Sequence, residues 1–273
     1  WPLHVFVPED SEPTVLERLG SLGARITVCE RLAGSRGDPT VERLRKVIAE
    51  GALPFTCQGD LNGLAIEGGQ TLGWEIASAG ENIDRIVVQV GGGALASAVA
   101  AGFNEALRLG AIAHRPRVDT VQTEGAWPLK RAYSAVCDHP GGLTYARAHR
   151  SSFMWPWETE PHSIAHGILD DETYDWAAVI EAMLTTGGRP VVVGEELLGE
   201  ANELAREATE ISVDPTGSSG LAGLLELRHE GVIGDDERVA VLFTGVDRSH
   251  DNEARRRSHE ELSGPRHLVA QGL

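Results

Sequence analysis

The chain of 273 residues has few positive charges and few cysteines. It holds 24 Lys and Arg against 41 Asp and Glu, a net charge of -17, so a polyanionic partner such as nucleic acid would be repelled. Its cysteines, Cys29, Cys57 and Cys137, form neither an even set nor a CxxC pair, which argues against a disulfide framework and a structural zinc site. No apolar run approaches the roughly 20 residues of a membrane-spanning helix. We expect a cytoplasmic protein that binds neither nucleic acid nor membrane and holds no metal.

The hydrophobic pattern alternates between short apolar runs and segments with helical spacing. We predict strands at 3–7, 25–28, 85–90, 117–123, 190–193 and 239–244. We predict helices at 15–22, 39–49, 64–79, 94–109, 176–185, 197–208 and 220–229. Strands that alternate with helices of this length pair in parallel through crossover connections. The predicted fold class is therefore α/β, with a parallel sheet.

Shifts in composition suggest boundaries along the chain. A loop with Gly and Pro over 52–62 predicts a crossing between domains near residue 60, with one domain over 1–60 and a larger one over 61–246. The residues that follow are mostly polar and predict a C-terminal tail over 247–273. The segment 151–168 has no regular pattern and predicts a long loop, which its tryptophans, Trp155 and Trp157, would anchor.

A run of three glycines, Gly91 to Gly93, separates the strand predicted at 85–90 from the helix predicted at 94–109. Without Cβ atoms the backbone can turn sharply and present N–H groups at the helix N-terminus, where the helix dipole favours an anion. The run predicts a phosphate site, and a tight turn without a ligand is the alternative. It also loosely fits the dinucleotide fingerprint G-x-G-x-x-A. However, Glu124 lies 33 residues after Gly91, whereas the fingerprint has its acid about 20 residues on.

Four motifs occur along the chain in the order that one enzyme family shows. They are Gln58-Gly59-Asp60-Leu61-Asn62-Gly63 with the segment 67–76, the triglycine turn, Val213 to Ala222, and Leu242-Phe243-Thr244-Gly245. With them, residues 1 to 246 resemble the fold type II enzymes that depend on pyridoxal phosphate. That family includes tryptophan synthase β chains, cysteine synthases, serine/threonine dehydratases and threonine synthases. The segment 120–129 is similar to threonine synthases and 163–168 to dehydratases, so the branch stays open.

The resemblance implies a cofactor, pyridoxal 5'-phosphate, and residues that would hold it. It implies a two-domain, parallel-sheet architecture whose small domain is incomplete, a small amino-acid substrate and a homodimer. The positions that correspond to the family's phosphate loop are Gly91, Gly92, Gly93, Ala94 and Leu95. Ala94 stands where a glycine is common in the family, which is tolerable if its φ is negative. Thr244 matches the hydroxyl residue that faces the pyridine nitrogen, although taken alone it is typical of a strand end.

Lysine is scarce, and this bears on catalysis. The resemblance implies a lysine that forms the Schiff base with the cofactor, upstream of the region that Trp1 to Val7 resembles. Neither Lys46 nor Lys130 has the Ser/Asn-x-Lys setting of the family, and both are interpreted as surface cations. The Ser/Thr-Gly-Asn loop that holds the substrate carboxylate is missing as well. We expect either a fragment without its N-terminal segment or a degenerate family member, and no catalytic residue is assigned.

Other polar clusters give weaker signals. His162 and His166 stand four residues apart without a third ligand nearby in sequence, so ordinary histidines are favoured over a metal pair. The acidic run Asp170 to Glu172 is typical of a helix N-cap and dipole complement rather than of a cation site. Ser218 and Ser219 lie in a predicted turn before a helix, without the nucleophile elbow of a serine hydrolase.

These observations predict one function and leave two alternatives. The predicted function is that of a pyridoxal-phosphate-dependent amino-acid lyase or synthase, which eliminates or replaces a β- or γ-substituent. Threonine synthase and serine/threonine dehydratase are the nearest kinds. The first alternative is an inactive or truncated protein on the same fold that lacks the Schiff-base lysine. The second is a nucleotide-binding α/β protein, which depends on the glycine fingerprint alone.

Overall fold

The computed structural model describes residues 1–9, 11, 13–32, 37–80 and 82–247. The first of these residues form a small parallel sheet in which two strands pair along their whole length, with His4 opposite Arg25. Its elements are β1 (His4–Pro8), α1 (Pro13–Ser21), β2 (Arg25–Cys29) and α2 (Pro39–Ala49). The side chain of Asp38 caps α2 by accepting from the backbone N–H of Thr40 at 2.7 Å. The predicted tail over 247–273 lies outside the described residues apart from its first residue.

The small sheet has very little core. Among the described residues before position 63, two side chains are buried, Val7 and Val41. Leu53 and Phe55, in the segment after α2, are 78% and 85% exposed. Burial of apolar surface is the main driving force for folding, so this part of the chain contributes little to stability by itself.

A second, larger parallel sheet has the strand order β5-β4-β3-β6, and helices connect its strands. Its strands are β3 (Arg85–Gln89), β4 (Arg117–Thr123), β5 (Pro190–Val193) and β6 (Val239–Val241). The helices are α3 (Gly63–Ser78), α4 (Ala94–Arg108), α5 (Pro128–Asp138), α6 (Gly142–Ala148), α7 (Trp176–Thr186), α8 (Glu195–Thr209) and α9 (Pro215–His229). The prediction of an α/β fold with parallel strands is confirmed. Among the described residues, no helix is long and apolar enough to cross a lipid bilayer.

The larger sheet is buried on both faces, which explains why β3 is an almost continuous apolar run. Side chains alternate across a strand, so Ile86 and Val88 enter one core with α4 and α7, whereas Val87 enters the other. That second core is built with α8 and α9 and includes Leu198 and Leu227. The helices on the two faces thereby hold the strand ends, where the candidate site lies, in fixed positions.

Two predicted boundaries were wrong. Helix α9 begins at Pro215 rather than at 220, because Asp214 caps it by accepting from the backbone N–H of Gly217 at 2.6 Å and proline suits the first helical turn. Ser218 and Ser219 are therefore buried helical residues whose hydroxyls donate to the carbonyls of the preceding turn. Strand β6 ends at Val241 instead of 244, so Thr244 lies beyond the strand.

Two helices, α5 and α6, follow β4; the sequence indicated a helix start at Pro128 to Lys130 but not the extent of α5, and α6 was not predicted. Helix α5 begins with Pro128, and its backbone N–H at Lys130 donates to Oε1 of Gln122 at 3.0 Å. A strand side chain thus supplies the acceptor that the first turn of a helix needs. The segment that follows α6 is irregular apart from short 3-10 turns at Arg150–Ser152 and His166–Ile168, in agreement with the predicted long loop.

A buried ion pair crosses the amino end of the larger sheet. Arg85 on β3 donates to Asp119 on β4, and both side chains are almost fully buried. The Nε atom of Arg85 also donates to Glu237 at 2.8 Å, and Oδ1 of Asp119 accepts from the backbone N–H of Arg189 at 2.7 Å. These bonds compensate part of the cost of burying both charges, since Nη2 of Arg85 is buried without a hydrogen-bond partner. They also fix several segments of the fold at the sheet edge opposite the glycine turn.

Candidate active site

The predicted cofactor residues lie at one edge of the larger sheet. Strands β3 and β6 are parallel neighbours with Val87 opposite Val241, so their carboxyl ends meet at the same edge. The glycine turn follows β3, and Thr244 follows β6. Open parallel sheets bind ligands outside the carboxyl ends of their strands. The topology therefore brings the two groups of predicted residues to adjacent positions where a ligand can approach them.

The glycine turn leads directly into α4. Gly93 is the N-cap of α4 with φ of 96°, in the left-handed region, and no side chain caps this helix. The first-turn N–H groups are therefore available to a ligand. Ala94 and Leu95 are the first two residues of α4 and are half-buried. Because Ala94 has helical backbone angles, its Cβ is compatible with the loop, as the sequence analysis required.

The segment before α7 covers the glycine turn and fixes its carbonyl groups. The hydroxyl of Thr173 donates to the carbonyl of Gly91 at 2.9 Å, and the backbone N–H of Asp175 donates to the carbonyl of Gly92 at 2.9 Å. The carbonyls thus face the protein, which leaves the N–H groups of the turn for other acceptors. Sequence reasoning missed Thr173 and Asp175, since nothing in their local pattern points to a turn so much earlier in the chain.

A carboxyl group lies against the glycine turn. The half-buried Asp170 carboxyl packs against Gly91 and Gly92, because a Cβ atom on Gly91 would clash with its Oδ2 and one on Gly92 would lie 3.8 Å from both of its oxygens. Burial raises the pKa of Asp170 to about 7, the nearby charges of Asp38 and Asp171 contribute to the rise, and the Gly92 N–H opposes it. This group is thus poised to change its charge near neutral pH.

The acidic run that includes Asp170 does not cap a helix, contrary to prediction. Helix α7 begins at Trp176, and Asp175 stands at its N-cap position. Asp171 forms an ion pair with Arg31 at 2.7 Å, and Glu172 forms one with Arg150 at 2.5 Å. Each member of the run has its own tertiary partner, and such contacts between distant segments cannot be read from local spacing.

Gln89 connects the strand before the glycine turn to Thr244, and it was not predicted as a site residue. It ends β3, and its Nε2 atom donates to the hydroxyl oxygen of Thr244 at 2.6 Å and to the carbonyls of Gly217 and Leu242 at 3.2 and 3.1 Å. Carbonyls only accept, which fixes the orientation of the amide. Its Oε1 atom is buried without a hydrogen-bond partner. The available signal was a lone amide side chain at the end of an apolar strand, two residues before the glycine turn.

Thr244 is exposed at the carboxyl edge. Because Gln89 donates to its oxygen, the Thr244 hydroxyl hydrogen remains available for an acceptor on a ligand. The neighbouring Gly245 packs against α9, where a Cβ atom would clash with the Asp214 carboxylate. The backbone that carries Thr244 is thus fixed by a close contact between Gly245 and the helix cap.

The two tryptophans of the long loop pack around a guanidinium group. Arg131 on α5 lies over the ring of Trp155 at 3.9 Å and within 5.0 Å of the ring centre of Trp157, and its Nη1 atom binds both carboxylate oxygens of Glu158 at 2.8 Å. Trp127 contacts Trp157 edge to face. Cation–π contacts of this kind stabilise exposed loops, so the geometry fits the predicted role of anchor.

The remaining candidates contribute no further group to the glycine turn. His162 and His166 are exposed, and among the described residues no cluster of three or more His, Cys, Asp or Glu could hold a metal ion. Lys46 is exposed on α2, and Lys130 lies half-buried in the first turn of α5. The expectation that neither lysine carries the cofactor stays a prediction.

A parallel α/β sheet with an uncapped glycine turn at its carboxyl edge is typical of one class of protein, the α/β proteins that bind a phosphorylated ligand at that edge. Comparison with known protein families identifies the family within this class. The profile described as pyridoxal-phosphate dependent enzyme matches residues 1–245, and the chain belongs to this family. The resemblance noted in the sequence is thereby confirmed, and with it pyridoxal phosphate as the family's cofactor.

Two curated relatives and one solved structure illustrate the similarity. The threonine synthase of Methanocaldococcus jannaschii is 28% identical over 204 residues, which cover 74% of this chain and 47% of the relative. The threonine synthase of Methanosarcina acetivorans is 30% identical over 188 residues, which cover 68% and 42%. The processed form of threonine deaminase isoform 2 from Solanum lycopersicum superimposes with a TM-score of 0.65 at 16% identity, covering 97% of this chain and 67% of that one. The chain spans about half the length of the curated relatives it matches.

The residues present fit the family's cofactor, with one condition. The N–H groups at the start of α4 suit a phosphate, and the exposed Thr244 hydroxyl can donate to a polar atom of the cofactor ring. The condition concerns Asp170, whose carboxyl group shares the Gly92 N–H with any anion that binds there. Two negative groups at one site repel each other, so the fit holds when Asp170 is neutral.

Proposed function

We propose that this chain is the body of a pyridoxal-phosphate-dependent amino-acid lyase or synthase of the threonine synthase or serine/threonine dehydratase kind. One observation carries the proposal: the glycine turn and Thr244 lie at adjacent strand ends on the carboxyl edge of the larger sheet. When bound, pyridoxal phosphate supplies an electron sink for negative charge at the substrate Cα. The chain's own residues bind that group, orient it and set its protonation.

The glycine turn is the proposed phosphate site. Residues Gly91 to Gly93, followed by Ala94 and Leu95, present backbone N–H groups at the N-terminus of a helix of 15 residues. The partial positive charge at this end of a helix favours an anion. The bonds from Thr173 and Asp175 turn the carbonyls of Gly91 and Gly92 away, so that the turn faces the ligand with donors.

Thr244 is the proposed partner of the pyridine nitrogen. A hydroxyl group can donate a hydrogen bond to that nitrogen but, unlike a carboxylate, it does not stabilise a proton on it. A ring bound in this way would supply a moderate electron sink, and the role of Thr244 would be to bind the ring nitrogen without protonating it. Gln89 orients the hydroxyl by donating to its oxygen at 2.6 Å.

The wider organisation follows from the same proposal. We assign residues 1–60 to a small domain and 61–246 to a large cofactor-binding domain. The substrate is a small amino acid, and the protein is a homodimer in the cytoplasm, where the free thiols of Cys29, Cys57 and Cys137 are compatible with reducing conditions. The acidic net charge of -17 argues against a nucleic-acid partner, and the family membership leaves the nucleotide-binding alternative without support.

A second candidate function is that of a cofactor-binding relative without activity. The observation that favours it is the placement of the two lysines, since Lys46 is exposed on α2 and Lys130 lies in the first turn of α5. Neither lysine belongs to the segments that border the glycine turn, and a lysine attacks the cofactor efficiently only when the fold holds it against that group. Borohydride reduction followed by peptide mapping separates the two candidates: stoichiometric cofactor attachment at either lysine would indicate a relocated catalytic residue.

Activity assays test the first candidate. The purified chain, loaded with pyridoxal phosphate, is assayed for ammonia release from L-serine and L-threonine and for formation of L-threonine from a γ-substituted amino acid. Turnover in either assay that disappears in the Gly92→Asp variant supports the proposal. Binding of the cofactor without turnover supports the second candidate, and absence of binding at every pH contradicts both.

A further inference from the structure

The glycine turn already has an anionic partner within the chain. Asp170 belongs to the segment between the long loop and α7, and its carboxyl group packs against Gly91 and Gly92, near enough for the Gly92 N–H to favour its charged form. The segment that carries Asp170 packs tightly against Gly91. A Cβ atom on Gly91 would clash with Oδ2 of Asp170 and would lie 2.9 Å from the Cα of Ile168. A side-chain acid therefore lies where the turn presents a donor to a phosphate.

The groups around Asp170 are mostly acidic. Asp38, at the cap of α2, and the adjacent Asp171 both disfavour its charge, whereas the Gly92 N–H favours it. Tyr174 is buried nearby, and burial together with the charge of Asp170 raises the pKa of its phenol, so this neighbour stays neutral. Among the residues that the structure describes, two arginines contact the acidic run, and each is paired with another of its members: Arg31 pairs with Asp171 and Arg150 pairs with Glu172.

We propose that Asp170 controls which ligands enter the glycine turn: its carboxylate occupies the Gly92 N–H and excludes a phosphate group, whereas its neutral carboxyl group admits one. This inference rests on the proposed function, because it concerns the phosphate of the same cofactor site. Asp170 acts here as a specificity-determining residue that couples phosphate binding to the uptake of one proton.

Two physical effects produce this coupling. The ionised carboxylate competes with the phosphate for the same N–H donor, and the two negative groups repel each other in a partly desolvated site. A neutral carboxyl group removes the repulsion and can itself donate a hydrogen bond to a phosphate oxygen. Burial together with Asp38 and Asp171 raises the pKa of Asp170 to about 7, so the change between the two states falls in the neutral range.

The expected effect can be separated from the titration of the ligand itself. The second ionisation of a phosphate monoester lies near pH 6, so the affinity of any variant changes with pH for that reason alone. The ratio of the dissociation constant of the wild type to that of Asp170→Asn cancels this contribution. With mutual exclusion and a pKa of about 7, the ratio should rise about tenfold between pH 6 and pH 8.

Equilibrium dialysis of pyridoxal phosphate, and separately of inorganic phosphate, measures this ratio at pH 6, 7 and 8. The variants are Asp170→Asn and, as a matched control, Asp138→Asn, which neutralises an exposed carboxylate at the end of α5. The same rise in the ratio for both ligands supports the proposal, because the effect then belongs to the phosphate group. A ratio that does not change with pH overturns it, as does an equal rise for the control.

A measurement on the wild type alone keeps the proposal testable if Asp170→Asn does not fold. Calorimetric titration with pyridoxal phosphate at pH 8, in buffers of different ionisation enthalpy, reports the number of protons taken up on binding. Uptake of about one proton is expected, and uptake near zero contradicts the proposal. Binding without this pH dependence rejects the inference alone, whereas absence of binding at every pH rejects the proposed function.

Discussion

The conformation of Gly93 gives a quantitative test of the glycine turn. Its φ is 96°, and a Cβ atom would lie 2.9 Å from Cγ2 of Thr173 and 3.3 Å from Val179. A side chain in the left-handed region costs about 1–2 kcal/mol, and overpacking adds about 1–3 kcal/mol. Alanine also lowers the conformational entropy of the unfolded chain, which offsets about 0.4–1 kcal/mol of this destabilisation. We expect Gly93→Ala to lower the free energy of unfolding by about 2–4 kcal/mol.

Gly110→Ala is the matched control for this substitution. Gly110 has φ of 73°, but a Cβ atom there would meet no atom within 4 Å. This variant therefore carries the conformational cost without the crowding, and about 1 kcal/mol of destabilisation is expected. Urea unfolding followed by circular dichroism measures both values from the midpoint and slope. If Gly93→Ala were no more destabilising than Gly110→Ala, the packing of Thr173 against the turn would be refuted.

Three further variants test other parts of the account. Arg85→Met should lower the free energy of unfolding by about 3–5 kcal/mol, because Asp119 stays buried without its charged partner. The double variant with Asp119→Leu should recover only part of the loss, because the backbone N–H of Arg189 then loses its acceptor. Asp170→Asn should stabilise the protein at pH 8 but leave it nearly unchanged at pH 4, where both side chains are neutral, since a carboxyl group with a raised pKa destabilises the folded state once it ionises. Thr244→Ala should weaken binding of pyridoxal phosphate but not of inorganic phosphate, and equal losses for both ligands would contradict the assignment of Thr244 to the ring.

The elements around the candidate site could be predicted because their signals are local. The alternation of strands and helices identified β3, α4 and the glycine turn between them, since each depends on neighbouring residues only. The start of α9 was missed because Ser and Gly have low helix propensity, although Asp214-Pro215 is a strong start signal. Strand β6 ends early because the Gln89 side chain, instead of a neighbouring backbone, binds the carbonyl of Leu242.

The surroundings of the turn could not be predicted from the sequence. Asp170 reaches Gly92 only after the chain has passed through α4, β4, α5, α6 and the long loop, so their contact depends on the complete fold. The acidic run was interpreted as a helix cap because acidic residues occur both at helix N-termini and in ion pairs between distant segments. The role of Gln89 likewise depends on Thr244, which lies 155 residues later in the chain.

Binding of pyridoxal phosphate to Gly92→Asp, compared with wild type and Gly92→Ala, tests the central claim most directly. A Cβ atom on Gly92 would lie 3.2 Å from Tyr174 and 3.8 Å from the Asp170 carboxylate, so alanine is tolerated with a small shift, whereas aspartate adds a second carboxyl group beside the turn. Equilibrium dialysis at pH 6.5 should show binding to wild type and Gly92→Ala but none to Gly92→Asp, with circular dichroism confirming that all three are folded. Equal affinity for all three proteins would contradict the assignment of the glycine turn as the phosphate site.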